Sequence, residues 1–571
     1  MPRLRLLTLL LVSTMFTCVL GDPLVVSTTS GTTQGYLDNT TASPISLQKW
    51  YGIRYAQNTS GANRWQPPQP YHDSTNTVFN ASSFGPACMQ GRADGGNGTS
   101  VQSEDCLRVN VIAPVDAKDL PVYIYTYGGG FDSGASSDPK VDGSFLAARG
   151  IVFVSYNYRL SLWAWPHALE IEDAGETQNL GLLDTRAAVE WVRDNIVGFG
   201  GDPTKITLGG AGHTFTLHSI AVSRRICRGR YLTFHVVRTR SESERRPRLE
   251  MTNFYLSAWP EDPIIRAAIM QSSDTSQPQW LPGSQLAPIS ANFSCPTGRG
   301  QLDCLREKDA DALQRVLLDT GVQFQPVIDN ITVWKDYVKQ TREGRTARVP
   351  LLVGTNKDEG TLIVNSEPTA FTNETAYILS NNFNLPFASR PTVLELYPSP
   401  SDTYPSVYNA TAAMWRDAHM LCLAHNLGLW RTRALGLPVW RYRFDLVANN
   451  LNSLGSAIGT FHGEDIRFVM GTTATIVLDA PFVPVTPFEQ QVSDYMVTAW
   501  TNFIKDPEAG PRIQGWDQYD PANTTTLAIL GISATSAVPG DHFVADESCK
   551  YWNEVLPLYP QIFPACGSWT C

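Results

Sequence analysis

Short runs of β-branched and aromatic residues alternate along the chain with stretches of helical periodicity. Between Leu182 and Ile196, for example, apolar side chains recur near the spacing of one helical face. Strands that alternate with helices predict an α/β fold with a mostly parallel central sheet flanked by helices. In such a sheet, substrate chemistry is expected in loops beyond the carboxyl ends of the strands. The runs that predict buried strands are Pro121–Thr126, Ile151–Tyr156, Lys205–Gly209, Arg266–Gln271, Val349–Gly354 and Val439–Asp445.

The composition is that of a folded protein without affinity for nucleic acid. Of 571 residues, 43% are hydrophobic and 17% are charged, which is enough apolar material for a packed core. The chain has 44 Lys and Arg against 54 Asp and Glu, a formal net charge of −10, whereas nucleic-acid binders usually carry a basic excess.

The first 21 residues have the pattern of a secretory signal peptide. Arg3 and Arg5 form a basic start, Leu6–Leu20 is apolar, and Gly21 ends a small-residue cleavage site. The apolar run is too short to span about 30 Å of hydrocarbon, and no later segment offers about 20 unbroken apolar residues. We therefore expect residues 22–571 to form a secreted, extracellular protein with no integral membrane segment.

Sequons and cysteines fit an oxidising compartment. Ten cysteines there predict disulfides rather than a metal site. Removal of Cys18 with the signal peptide leaves nine, an odd number, so one thiol needs a separate explanation. Asn-x-Ser/Thr sequons predict a glycoprotein and begin at Asn39, Asn58, Asn80, Asn97, Asn292, Asn330, Asn373, Asn409 and Asn523.

Several motifs in a fixed order resemble those of the type-B carboxylesterase and lipase family, the cholinesterase-like branch of the α/β-hydrolases. Together they extend over nearly all of residues 22–571. They are Tyr51-Gly52-Ile53-Arg54-Tyr55-Ala56, Ser103-Glu104-Asp105-Cys106-Leu107, Tyr127-Gly128-Gly129-Gly130-Phe131, Asn157-Tyr158-Arg159-Leu160, Asn179-Leu180-Gly181-Leu182-Leu183-Asp184, Phe199-Gly200-Gly201-Asp202-Pro203, Asp358-Glu359-Gly360 and Phe461-His462-Gly463.

The resemblance implies a single α/β-hydrolase domain with long substrate-shaping loops and hydrolysis of carboxylic esters through an acyl-enzyme. By this resemblance His462 is the general base, Glu359 orients it, and the N–H groups of Gly129 and Gly130 form the oxyanion hole. Taken alone, the glycines would be a flexible turn, Glu359 a solvated carboxylate and His462 a structural histidine. The order of acid then base late in the chain agrees with the family.

The resemblance also implies a set of buried pairs. Cys88 with Cys106, Cys295 with Cys304, and Cys422 with Cys549 match the family's bridges, while Cys566 and Cys571 either pair with each other or stay free. Arg64 and Glu104 match a buried ion pair, for which the alternative is an ordinary surface pair worth about 0–1 kcal/mol. Cys227 has no counterpart.

The sequence departs from the family where the nucleophile belongs. After Gly210 the family continues with an acidic or amide residue and then Ser-Ala-Gly, the G-x-S-x-G elbow. Here Ala211, Gly212, His213 and Thr214 follow, so Gly212 takes the place of the nucleophilic serine. His213 replaces the residue whose N–H would be the third oxyanion donor.

Residues 211–250 form an anomalous Arg-rich segment in place of the elbow. It has nine Arg, no Lys and three Glu, a local charge of +6 in a chain of −10, and it contains Cys227. In the family the residues after the elbow begin a buried helix, and unpaired arginines in that position would cost several kcal/mol of stability. Our preferred interpretation is translated non-coding sequence or a frame error; the alternatives are a pseudoenzyme and a relocated nucleophile, Ser219 beside His218. The last lacks an elbow and a following glycine.

The sequence therefore predicts a secreted carboxylic ester hydrolase that is inactive as written because its serine is absent. The alternative is a catalytically dead, cholinesterase-like binding or adhesion protein. The expected ligand is a small-molecule or lipid carboxylic ester; neither a cofactor nor a metal is implied. A basic patch in residues 211–250 that binds acidic surfaces is a weaker hypothesis.

Overall fold

The computed structural model describes most of the chain after its first residues. The described ranges are 24–42, 45–73, 77–91, 101–212, 251–272, 285–335, 337–364, 390–448, 458–474 and 483–555. Several predictions fall outside them, namely the signal peptide, Asn97, Asn373, His213, Ser219, Cys227, Cys566 and Cys571. In the described part, no helix combines the length and hydrophobicity that a membrane crossing requires.

Most strands join one large sheet. The strands are β1 (Val25–Thr28), β2 (Gly31–Gln34), β3 (Tyr36–Asp38), β4 (Leu47–Arg54), β5 (Phe79–Asn80), β6 (Ala87–Cys88), β7 (Gln102–Ser103), β8 (Arg108–Pro114), β9 (Leu120–Thr126), β10 (Val152–Tyr156), β11 (Gly201–Ala211), β12 (Ala267–Gln271), β13 (Leu351–Asn356), β14 (Val439–Phe444), β15 (Leu527–Leu530) and β16 (Val538–Gly540). The large sheet has 11 strands in the order β16-β15-β14-β13-β12-β11-β9-β10-β8-β4-β3.

Helices occupy the connections between the strands. The α-helices are Ser144–Ala147, Ser161–Ala164, Leu169–Asp173, Leu180–Asn195, Met251–Ala258, Leu286–Asn292, Gln301–Arg306, Ala310–Thr320, Tyr337–Arg342, Arg390–Leu396, Val407–Arg416, Cys422–Leu435, Asp465–Met470, Pro487–Lys505, His542–Ala545 and Cys549–Val555. A π-helical turn, Asp417–Leu421, joins two of them, and 3₁₀ turns lie at Gly61–Asn63, Pro139–Val141, Ile196–Phe199 and Arg512–Gln514.

The centre of the sheet is parallel, as the sequence predicts. Strands β10, β9, β11, β12, β13, β14 and β15 pair in parallel, and antiparallel strands flank them on both sides. All six predicted strands are present, with ends shifted by a few residues. Every residue of β10, β12 and β13 is buried, because helices cover both faces of a parallel sheet. The α/β-hydrolase class is thereby supported by the topology.

A buried ion pair fixes the start of the predicted helix, which extends over Leu180–Asn195. Arg159, in the loop after β10, donates from Nε and Nη2 to Asp184 at 2.8 and 2.7 Å. The Asp184 carboxylate also accepts the Arg159 backbone N–H at 3.0 Å. Since both side chains are almost fully buried, loss of either partner would leave an uncompensated charge in the core.

The three disulfides implied by the resemblance are present: Cys88–Cys106, Cys295–Cys304 and Cys422–Cys549. Beside the first, Arg64 binds Glu104 through two hydrogen bonds of 2.6 and 2.7 Å. Their side chains are only 5% and 6% exposed, so the alternative of an ordinary surface pair is wrong. Arg64 also donates to the carbonyl of Lys308 at 2.6 Å, which attaches the end of helix Gln301–Arg306 to this region.

Candidate active site

The predicted site residues lie in turns at one edge of the sheet. The glycine turn follows β9, Gly212 follows β11, and Glu359 lies shortly after β13. The loop with His462 comes after β14. Because β9, β11, β12, β13 and β14 are neighbours in that order and run parallel, the turns after their carboxyl ends share an edge.

Glu359 and His462 form a fully buried pair. Glu359 Oε2 contacts His462 Nδ1 across 103 positions of sequence, and both side chains have 0% exposure. The second carboxylate oxygen, Oε1, accepts the backbone N–H of Asn356 at 2.6 Å. The acid is therefore held at both oxygens. An acid bound to Nδ1 orients the ring so that Nε2 faces the opposite direction, which is the arrangement a general base needs.

Reciprocal hydrogen bonds join the loop of the histidine to the turn of the acid. Asp358 N donates to Thr460 O at 2.9 Å, and Thr460 N donates to Asp358 Oδ2 at 2.9 Å. Asn356 Nδ2 donates to Phe461 O at 2.8 Å. At Gly459, with φ of +62°, a Cβ atom would lie 2.1 Å from Asp358 Oδ2, so only glycine permits this approach. These contacts fix the two loops in one relative position.

A second carboxylate, Asp465, supports the same turns. Its Oδ2 accepts from Gln271 Nε2 at 2.9 Å and from the Tyr442 hydroxyl at 2.8 Å, and its Oδ1 accepts from Asn356 at 3.3 Å. Burial is the largest cause that raises the pKa of Asp465. One buried carboxylate thus connects the ends of β12, β13 and β14 beneath the acid and the histidine.

Glu464 is a further buried acid next to the histidine loop. Its oxygens accept the backbone N–H groups of Ala448 at 2.9 Å and Phe461 at 3.1 Å. Burial raises its pKa to about 8, against the lowering effects of these hydrogen bonds and of the nearby Arg467 charge. The roles of Asn356, Asp358, Glu464 and Asp465 were not predicted from the sequence. The available signal was that each is a polar residue within three positions of the predicted acid or base.

The glycine turn after β9 supplies backbone donors. Gly129 and Gly130 have φ of +144° and +63°, and a Cβ atom at Gly129 would lie 1.7 Å from the Ser133 carbonyl oxygen. Both glycines are buried, and neither N–H donates to another residue that the structure describes. Buried N–H groups normally have a partner, so these two are available to a ligand oxygen.

Gly212 lies beside this turn but does not form an elbow. Gly129, Gly130, Gly212 and Met251 line one small cavity of about 10 Å³, room for about one water. Gly212 N donates to Gln271 O at 2.8 Å, which continues the ladder between β11 and β12. Its φ lies outside the left-handed region, and a Cβ atom would lie 2.2 Å from the Ser272 carbonyl oxygen. The site thus has neither a hydroxyl nor room for one at this position.

Comparison with known proteins agrees with this architecture. The chain matches the carboxylesterase family over residues 22–217 and 253–552. It is 29% identical to the para-nitrobenzyl esterase of Bacillus subtilis (strain 168), over 88% of this chain and 94% of that protein. It is 26% identical to the inactive carboxylesterase-like protein VdtD of Byssochlamys spectabilis, over 80% of each chain.

The fold is likewise that of solved esterases. A structure of PNB esterase superimposes with a TM-score of 0.71 at 26% identity, covering 94% of this chain and 100% of that chain. The family match is interrupted at residues 218–252, and most of these residues belong to the Arg-rich segment 211–250. With the match on both sides of that gap, the chain belongs to the carboxylesterase family and has the α/β-hydrolase fold.

Proposed function

We propose that this scaffold serves the hydrolysis of carboxylic esters through an acyl-enzyme. The observation that carries the proposal is the buried contact between Glu359 and His462 Nδ1. A buried carboxylate fixes the imidazole and stabilises the cation that forms when Nε2 takes up a proton. The two glycine N–H groups after β9 support the second requirement, a place for the oxyanion.

In the proposed reaction a serine hydroxyl attacks the ester carbonyl while His462 Nε2 takes its proton. The carbonyl oxygen becomes an oxyanion near Gly129 and Gly130. When the tetrahedral intermediate collapses, the C–O bond to the alcohol breaks and His462 returns the proton to that alcohol. Water then repeats the sequence on the acyl-enzyme and releases the acid.

The chain as written lacks the attacking group. Gly212 stands in the position of the serine, and loss of the nucleophile typically reduces turnover by about 10⁶. We therefore infer that residues 211–250 replace a short coding piece that carried the serine. The gap in the family match supports this inference. The position of Gly212 and Met251 in the lining of one cavity also supports this inference. The end of β11 and the start of the next helix are close enough for a tight turn to join them.

A catalytically dead binding protein is the second candidate. The observation that favours it is the backbone at Gly212, which runs in the β-ladder and leaves no space for a side chain. A relative named as inactive belongs to the same family. In this case the esterase fold would bind an ester or a protein partner without turnover.

We also propose that the protein is secreted. Residues 1–21 would be removed as a signal peptide, and the mature domain would extend over residues 22–571. The disulfides support an oxidising compartment, since such bonds are rare in the cytosol.

A fluorophosphonate probe, which bonds to activated serines, tests the assignment. The chain as written should not be labelled. An elbow-restored chain, with Ala211→Glu, Gly212→Ser, His213→Ala and Thr214→Gly and with residues 218–250 deleted, should be labelled and should hydrolyse a chromogenic ester.

Two outcomes would contradict the proposal. A restored chain that folds, as judged by its circular dichroism, yet neither labels nor hydrolyses any ester would favour the binding protein. Labelling of the chain as written that Ser219→Ala abolishes would place the nucleophile within the Arg-rich segment instead.

A further inference from the structure

A second, much larger cavity lies against the acid turn, with Lys357, Asp358 and Thr361 in its lining. Its volume is about 510 Å³, within the range of about 300–1,000 Å³ that small-molecule sites occupy. The lining includes Asp358, Tyr404, Asn409, Arg416 and Arg443. Asp358 precedes the candidate catalytic acid, so this cavity adjoins the candidate site and shares with it the residue that joins the two loops.

The polar groups of this cavity suit an uncharged ligand with many hydroxyls. Arg416 Nε binds Asp417 at 2.6 Å, and Arg443 binds Asp445 through Nε and Nη2 at 2.7 Å. Each guanidinium is therefore neutralised by a neighbouring carboxylate but keeps a terminal nitrogen that these bonds do not use. The two arginines therefore act as hydrogen-bond donors rather than as an anion site, and the exposed Lys357 is a third donor in the lining.

Acceptors and an aromatic ring stand beside these donors. Asp358 Oδ2 accepts from Thr460 N, and Asp358 also lines the cavity. Tyr404 contributes a ring and a hydroxyl, an apolar face with a polar end. Donors, acceptors and an aromatic face together match the surface of a sugar, which alternates hydroxyls with C–H patches.

Asn409 is the sequon residue that lines this cavity, in the sequence Asn409-Ala410-Thr411. Its Oδ1 accepts from the Ser406 hydroxyl at 2.7 Å, at the start of helix Val407–Arg416. The described hydrogen bonds of Asn409 do not use Nδ2, the atom to which an N-linked sugar bonds. Asn409 is half-buried, whereas the other described sequon asparagines are exposed: Asn39, Asn58, Asn80, Asn292, Asn330 and Asn523.

We propose that Asn409 carries an N-linked glycan whose first sugars lie in this cavity and form part of the folded structure. In the transfer step, Asn409 Nδ2 bonds to C1 of the first N-acetylglucosamine of a lipid-linked pyrophosphate donor. The C1–O bond to the pyrophosphate breaks, and the amide proton leaves with that group. The transfer precedes folding, because the asparagine is half-buried afterwards. This inference rests on the proposed entry into the secretory pathway.

Glycosidase protection on the full-length chain, expressed in a eukaryotic secretory host, tests the proposal. A peptide N-glycosidase is applied to the native protein and to the denatured protein, and mass spectrometry reports each sequon. We expect the glycan on exposed Asn292 to be lost under both conditions. The glycan on Asn409 should survive native digestion and be lost after denaturation.

Matched variants distinguish the effect of the glycan on stability from the effect of the Asn409 side chain. Asn409→Gln and Thr411→Val both abolish the sequon and should lower the melting temperature, whereas Thr411→Ser keeps the sequon and should retain the glycan. Asn292→Gln is the control and should leave the melting temperature unchanged. If the chain as written is not exported from the cell, the same variants are compared in the elbow-restored chain.

Each remaining outcome overturns the inference. An unmodified Asn409 beside a modified Asn292 would show that the cavity holds something other than this glycan. Native release from both sites at equal rates would place the Asn409 glycan in solvent. If no sequon is modified, the secretory assignment fails as well, while the ester-hydrolysis assignment remains open to its own labelling test.

Discussion

At the scale of single residues, the candidate site depends on the way one carboxylate restrains one imidazole. Glu359 is fully buried, and its two oxygens are occupied by His462 Nδ1 and by the N–H of Asn356. An acid held in this way keeps the ring in a single orientation and tautomer. The resemblance implied that Glu359 orients His462, whereas the hydrogen bond from Asn356 to the second carboxylate oxygen had to come from the structure.

In the elbow-restored chain, His462→Ala should reduce ester hydrolysis by about 10⁶, and Glu359→Gln by about 10⁴, because the amide favours the wrong tautomer. The kcat of a chromogenic ester is the measurement. Glu172→Gln, a substitution of an exposed glutamate, is the control and should leave the rate unchanged. A His462→Ala protein with undiminished turnover would remove the histidine from the proposed chemistry.

Glu464 should make the stability of the protein depend on pH. Its pKa is raised by burial from the ordinary value of 4.5 to about 8, so the folded state binds its proton more tightly than the unfolded state does. The resulting stabilisation is complete below pH 4.5 and is lost as the pH rises through about 8.

We expect the free energy of unfolding to fall between pH 5 and pH 8.5 in the parent chain and to fall less in Glu464→Gln, which cannot ionise. Urea unfolding at the two pH values measures this difference. Glu172→Gln should retain the parent's pH dependence. An identical decrease in the parent and in Glu464→Gln would show that other groups cause it.

At the scale of elements, the long disulfide connects distant parts of the chain. Cys422–Cys549 joins the starts of helices Cys422–Leu435 and Cys549–Val555 across 127 residues, whereas Cys295–Cys304 closes only 9. A cross-link restricts the unfolded chain more when it closes a longer loop.

Replacement of both cysteines by alanine should therefore cost about 5 kcal/mol for Cys422–Cys549 and about 3 kcal/mol for Cys295–Cys304, from the dependence on loop length. Denaturant unfolding of the two double variants measures the difference. Equal losses, or a larger loss for the short loop, would mean that strain or residual structure in the unfolded chain outweighs loop entropy.

The strands that could be predicted are those buried on both faces. β10, β12 and β13 are continuous apolar runs, which sequence patterns reveal directly. Burial alone did not suffice, because β4, β8 and β15 were not predicted although most of their residues are buried; β1 and β16 are short and only partly buried. Asn356 and Asp465 were missed for a different reason. Their roles arise from contacts between turns far apart in sequence, which a pattern along one segment does not contain.

At the scale of the whole molecule, the match to the carboxylesterase family is interrupted between residues 217 and 253. The family match extends on both sides of residues 218–252 and stops there. The strand before the gap and the helix after it meet at one small cavity, with Gly212 and Met251 in its lining. A short turn would be enough to join them, and the Arg-rich segment between them adds a local charge of +6.

Reading the mature transcript across codons 205 to 255 tests this account most directly. We predict a message in which a short in-frame piece replaces codons 211 to 250 and completes the motif Gly-x-Ser-x-Gly that begins at Gly210. A message that encodes Ala211 to Glu250 as written, found together with the secreted protein of that sequence, would contradict the account and leave a binding protein or a nucleophile at Ser219 as the alternatives.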